Sequence, residues 1–216
     1  MDGADDPTVG RIITSDACVQ DGADWLVAHD PRFARAIDLC GQLPLRRKPE
    51  GFAELLSAIV SQQVSVASAN AIWGRMVEAG LNTESAVAVA SEDELRSAGL
   101  SRQKIRYAHA LAQARIDYDA LRSQPDAEVI KILTQVSGIG TWTAEIYAMF
   151  SLGRADVFAH GDLALQEGAR VLLDLPDRPK PAEMRRIAEA WSPWRSVAAR
   201  VLWAYYRVAK DREGIR

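Results

Sequence analysis

The stretch Val136-Ser137-Gly138-Ile139-Gly140-Thr141-Trp142 sets two glycines one residue apart and an aromatic just after them, and Asp162 follows twenty residues beyond Trp142. Glycines at this spacing let the backbone turn tightly and leave their N–H groups unshielded. A helix starting at Thr141 would add its own unpaired N–H groups and the positive end of its dipole. Together these donors make a concavity suited to a phosphate. The same pattern also serves a plain connection between two helices, in which glycine only permits the turn. Asp162 precedes the helical-looking run Leu163–Leu173, so it reads as an N-cap at a position where negative charge is favoured. A carboxylate fixed there could also stabilise a neighbouring positive charge or act on a water molecule. Capping and catalysis are compatible.

Nearly every segment that must position these groups reads as helix. Apolar residues recur at spacings of three and four from Glu50 to Gly80, with an interruption near Ser61-Gln62-Gln63. Ser91 and Glu94 form a capping box, and Gly99 closes that short helix. Ile105, Ala108 and Ala112 repeat at helical spacing, and the run Asp126–Val136 leads into the glycines. Near the end, one helix should stop at Trp191 and the next should start at Pro193 with Ser192 as its cap. No period-two alternation stands out, so the expectation is a compact all-α protein with short loops.

Composition narrows the classes. The 216 residues suffice for one domain or two small lobes, with 48% apolar and 25% charged residues. No apolar run reaches the ~20 residues of a membrane span, and the acidic opening is not a signal peptide, so a cytoplasmic protein is expected. Two cysteines, Cys18 and Cys40, cannot build a disulfide framework or a four-cysteine iron–sulfur site. The formal net charge is −3, yet the residues from Pro176 onward carry ten Lys/Arg against five Asp/Glu. Further basic clusters lie at Arg46-Arg47-Lys48 and at Arg102, Lys104 and Arg106. Such patches fit a polyanion, and they also fit ordinary solvated helix faces.

Five motifs taken together are more specific than any alone: "IVSQQVSVASANAIW", "GLSRQKIRYAHALA", "VSGIGTWTAE", "DVFAHGDLAL" and "AEAWSPWRSVAARVLW". The arrangement resembles the helix–hairpin–helix DNA glycosylase superfamily, most of all its alkylated-base branch, the 3-methyladenine DNA glycosylase II type. The resemblance runs from about Gly51 to Tyr205. It departs from the family pattern at Ser137, where proline is usual before the first glycine. It departs again at Ala159-His160-Gly161, where a proline often precedes the acid.

The resemblance implies a two-lobed helix–hairpin–helix glycosylase fold with a central cleft holding Asp162. Residues 1–50 would pack with the C-terminal lobe, 51–151 would form the central lobe with the helix–hairpin–helix at 126–151, and 152–216 would carry Asp162. Asp162 would stabilise the sugar cation formed as a base leaves deoxyribose, and would orient water. Lyase-competent members carry a lysine where this chain has Trp142, so a monofunctional enzyme is expected. Trp142 and Trp203 would hold a flipped, cationic purine by stacking and cation–π attraction. By helical geometry, Trp203 shares a face with Ser196, Arg200 and Arg207 that looks like a cleft wall, whereas Trp194 looks like core.

Gln62 and Gln63 match the family's plug loop, with Gln63 at the position that enters the duplex. Gly138, Gly140, Thr141, Thr143, Arg102 and Lys104 are the expected DNA-backbone contacts. The carbonyls of Thr134, Val136 and Ile139 would offer a monovalent cation site; no cofactor is otherwise expected. The partner would be double-stranded damaged DNA, bound by a monomer. Alternatives are a glycosylase for deaminated or etheno purines, a non-catalytic helix–hairpin–helix DNA-binding module, and an unrelated helical scaffold.

Overall fold

The computed structural model describes residues 9–213, and most of the acidic opening stretch lies outside them. The described chain is all-α as expected: thirteen helices, numbered in chain order, and one isolated antiparallel bridge between Ile12 and Arg154. It folds as two compact units, one from the chain up to Arg47 together with Ala148 onward, the other from Lys48–Tyr147.

The first unit contains α1 (Asp16–His29), α2 (Arg32–Cys40), the end of α10 (Thr141–Phe150), α11 (Leu163–Leu173), α12 (Pro181–Glu189) and α13 (Arg195–Glu213). Helix α13 is its centre, with α1, α2 and α11 packed around it. Val197, Ala198, Val201 and Leu202 of α13 are fully buried. Two glycines permit close approach between helices. A Cβ on Gly168 of α11 would lie 2.7 Å from the Leu202 carbonyl oxygen, and one on Gly22 of α1 would lie 2.6 Å from Val197. Hydrogen bonds stitch the early chain to the later one: Ile13 N–H to the Gly153 carbonyl (2.7 Å), Ala155 N–H to the Arg11 carbonyl (3.0 Å), and the buried Arg154 guanidinium to the Val9 carbonyl (2.8 Å).

One expected boundary is corrected. Helix α12 ends at Glu189 and α13 begins at Arg195, so neither Trp191 nor Pro193 is helical. Ser192 is not an N-cap. Its hydroxyl donates to Asp156 (2.8 Å), which also takes a bidentate pair from Arg195 (2.7 and 2.8 Å). A carboxylate 36 residues away outcompetes the local cap.

The second unit contains α3 (Phe52–Ser61), α4 (Val66–Glu78), α5 (Glu84–Val89), α6 (Glu92–Ser97), α7 (Arg102–Ala114), α8 (Tyr118–Leu121), α9 (Asp126–Thr134) and the first turns of α10. The α7 face of Ile105, Ala108 and Ala112 is buried, and α3, α5 and α6 pack against this helix. The Ser91–Glu94 capping box is present, with Ser91 N–H to the Glu94 carboxylate at 2.7 Å and Glu94 N–H to the Ser91 hydroxyl at 3.2 Å. The expected interruption at Gln62-Gln63 separates α3 from α4, and Gln63 adopts a left-handed φ of +56°.

Candidate active site

In the hairpin between α9 and α10, the two glycines have different duties. Gly138 has φ +97°, and a Cβ there would meet the Tyr107 ring at 2.4–2.7 Å. The fold itself requires this glycine. Gly140 has no such requirement: nothing lies within 4 Å of where its Cβ would be. Val136 and Ile139 are buried and anchor the turn, and Ile139 N–H donates to the Val136 carbonyl (3.0 Å). The α10 ladder opens with Ala144 N–H donating to the Gly140 carbonyl (3.0 Å). The backbone N–H groups of the first turn of α10 sit at its positive end.

A cavity of about 450 Å³ adjoins the hairpin, bordered by Gln62, Gln63, Tyr107 and the residues from Val136 to Gly140. Gln62 Nε2 donates to the Gly138 carbonyl (2.9 Å). Gln63 is exposed, and exposed Val64 and Val66 flank it with apolar surface. Thr134 also borders this cavity, along with Val136 and Ile139. The Val136 carbonyl, already accepting one bond, has a second lone pair for a cation. Among the described residues there is no cluster of three His, Cys, Asp or Glu side chains fit for a metal ion.

Thr141 and Arg102 are exposed, and Trp142, at the first turn of α10, is 48% exposed. Two of the expected backbone contacts point elsewhere. Thr143 is only 8% exposed, on the inner face of α10. Lys104 is 9% exposed, and its ammonium donates to the Val60 carbonyl (2.6 Å) near the C-terminus of α3. Burial pushes its pKa down. Its charge serves a helix end inside the unit, where a cation complements the dipole.

Asp162 is the N-cap of α11, as its position before Leu163 predicted. Its Oδ1 accepts from Ala164 N–H (2.9 Å) and Leu165 N–H (3.0 Å). A third donor to the same oxygen comes from Trp203 Nε1 (3.2 Å), on α13. Of the α13 face read as a cleft wall, Ser196 and Arg200 are 0% and 1% exposed, with α2 and α11 packed on the helix, whereas Arg207 is exposed. The half-buried Trp203 ring packs on Phe150 (centroids 5.7 Å apart), and Arg200 lies over Phe150 (4.8 Å). Arg200 also donates to the Ser196 and Leu45 carbonyls (both 2.9 Å). Burial first, then Arg46 and Arg47, push its pKa down to about 10. Trp194 is core, as expected.

The loop before Asp162 is braced without the family's proline. Asp162 N–H donates to the Ala159 carbonyl (2.9 Å), and Gln166 Nε2 donates to the His160 carbonyl (2.9 Å). Arg185 donates to His160 Nε2 (2.8 Å), so that nitrogen is an acceptor and the ring is neutral. Burial, then the Arg185 charge, lower the His160 pKa. Sequence reading missed this bracing, and it also missed Tyr107 and Gln103 behind the hairpin. No local pattern announces them: Tyr107 meets Gly138 across 31 positions of chain.

Comparison with known proteins accords with this geometry. Residues 56–193, which span parts of both units, match the HhH-GPD superfamily base excision DNA repair protein family. The DNA-3-methyladenine glycosylase 1 of Schizosaccharomyces pombe is 31% identical over 199 residues, 87% of each chain. Among solved structures, a DNA-3-methyladenine glycosidase from Bacillus halodurans is similar with a TM-score of 0.79 and 35% identity, covering 89% of this chain and 91% of that one. A 3-methyladenine DNA glycosylase of Schizosaccharomyces pombe, solved with abasic DNA, has a TM-score of 0.73 at 32% identity, covering 85% and 95%. By the family match and these likenesses, the chain belongs to the HhH-GPD superfamily of base excision DNA repair proteins.

Proposed function

We propose that the protein is a monofunctional DNA glycosylase that removes alkylated purines of the 3-methyladenine type from double-stranded DNA, acting as a monomer without a required cofactor. The observation that carries this reading is the Asp162 carboxylate, held by two backbone N–H groups and by the Trp203 indole. A base flipped from the stack leaves with the electron pair of its bond to C1′. The sugar becomes cationic, and a fixed carboxylate stabilises it without reorganising. Water then adds to C1′, and Asp162 takes its proton. Trp142 stands where lyase relatives carry lysine, so no side-chain amine is offered at that position.

The remaining roles follow the same reading. Trp203, whose indole donates to Asp162, holds the cationic base by stacking and cation–π attraction, and exposed Trp142 of the other unit offers the same chemistry. Gly140 and Thr141 present N–H groups to a phosphate, aided by exposed Arg102, and these contacts position the protein without reading sequence. Gln63 enters the space left by the flipped nucleotide. A monovalent cation held by the carbonyls of Thr134, Val136 and Ile139 would add positive charge beside that phosphate.

The test is a panel of duplexes, each with one 3-methyladenine, 7-methylguanine, ethenoadenine or hypoxanthine. Free alkylated base should be released, and the strand should break only after alkali. Borohydride, which traps a Schiff base, should leave no protein–DNA adduct. Absence of excision on every lesion would return the chain to a DNA-binding module, and a borohydride-stable adduct would overturn the water mechanism.

A further inference from the structure

Gln62 and Gln63 sit side by side in the turn between α3 and α4, yet the structure gives them different environments. Gln63 is exposed, and its left-handed backbone (φ +56°) turns the chain sharply at that point. Gln62 is half-buried, and its Nε2 donates to the Gly138 carbonyl across 76 residues of chain (2.9 Å). That carbonyl belongs to the hairpin glycine at which any Cβ would collide with Tyr107. The Tyr107 hydroxyl in turn accepts from Gln103 Nε2 (2.6 Å). The hairpin is thus gripped from two sides, by α7 through Tyr107 and by the α3–α4 turn through Gln62. The Gln62 amide joins the segment that would enter the duplex to the segment that would hold the phosphate.

We propose that Gln62 is a positioning residue that locks the α3–α4 turn in register with the hairpin, so that binding a phosphate at Gly140 and inserting Gln63 are one coupled event. The inference rests on the reading of Gln63 as the inserted residue, and it assigns Gln62 no contact with DNA. Both segments belong to the same compact unit, so the coupling needs no motion between units. A turn held only at its ends would let Gln63 sample several directions. The bond to Gly138 restricts it to the one that the phosphate contact fixes on the duplex. Misplacement of a positioning group by a fraction of an ångström is costly for a reaction that requires a near-attack geometry.

The test is a double-mutant cycle in the full chain, read by single-turnover excision and by fluorescence of 2-aminopurine placed opposite the lesion, which reports insertion. Gln62→Met keeps length and volume and removes the donor; Gln63→Ala removes the inserted side chain. Each alone should lower excision about tenfold and blunt the fluorescence change. The double variant should be no worse than the weaker single variant by more than about twofold, because Gln62 acts through Gln63. Gln62→Ala should match Gln62→Met, which separates loss of the donor from loss of bulk. Losses that multiply in the double variant, or a Gln62→Met protein that excises normally, would overturn the proposal while leaving the insertion reading intact. A Gln63→Ala protein with normal excision and fluorescence would sink the insertion reading, and the coupling with it.

Discussion

Asp162 Oδ1 has three donors, and their origins differ. The two backbone N–H groups belong to the next turn of chain, so the cap was readable from an aspartate before an apolar helical run. The Trp203 indole arrives from 41 residues away, and only the packing of α13 on α11 brings it there. Trp203→Phe should keep the ring contact with Phe150 and lose the N–H. Excision should fall about tenfold, or ~1.4 kcal/mol, close to the worth of a hydrogen bond to a charged group. Undamaged-duplex affinity, measured by fluorescence anisotropy, should change less than twofold. His160 carries a second prediction. Its folded pKa lies below the ordinary value, so the unfolded chain binds the proton more readily. Its contribution to stability is complete above the ordinary value of about 6.5 and is lost as pH falls from there through the lower folded value. Denaturant titrations at pH 8 and pH 5.5 should show a larger loss for the wild type than for His160→Gln.

Between elements, the hairpin was legible as a motif, but the division of labour between its glycines was not. A glycine-x-glycine pattern says that the backbone must turn; it cannot say which glycine meets a neighbour. Gly138→Ala forces a left-handed φ on alanine and drives its methyl into Tyr107. It should cost about 2 kcal/mol or more, lowering the melting temperature by roughly 4–8 °C. A Cβ at Gly140 would stand in open space, so Gly140→Leu should melt like the wild type. It should nevertheless weaken binding to damaged and undamaged duplex alike, because it fills the space before the N–H groups. Equal melting temperatures for the two variants would contradict this division. The basic patch on α7 teaches the same limit. Arg102 and Lys104 look equivalent in sequence, yet one faces solvent and the other reaches the Val60 carbonyl, a difference set by how α3 packs on α7.

At the scale of the whole chain, helical periodicity, caps and the break at Gln62-Gln63 made the all-α fold legible, because each signal acts within a turn or two of helix. The start of α13 is not legible locally, because Ser192 bonds to Asp156 and the helix begins only at Arg195. No described helix is long and apolar enough to cross a membrane. A net charge of −3 does not oppose the proposed DNA binding, since the hairpin N–H groups and exposed arginines would act locally. In the proposed mechanism one carboxylate, Asp162, makes the difference between binding DNA and cutting the glycosidic bond. The most direct measurement is single-turnover release of 3-methyladenine from a defined duplex by the wild type and by Asp162→Asn, with duplex affinity measured alongside. The asparagine variant should bind DNA within about threefold of the wild type and lose at least ~100-fold in excision, the scale expected for removing a preorganised electrostatic contact. Excision by Asp162→Asn at the wild-type rate would contradict that mechanism.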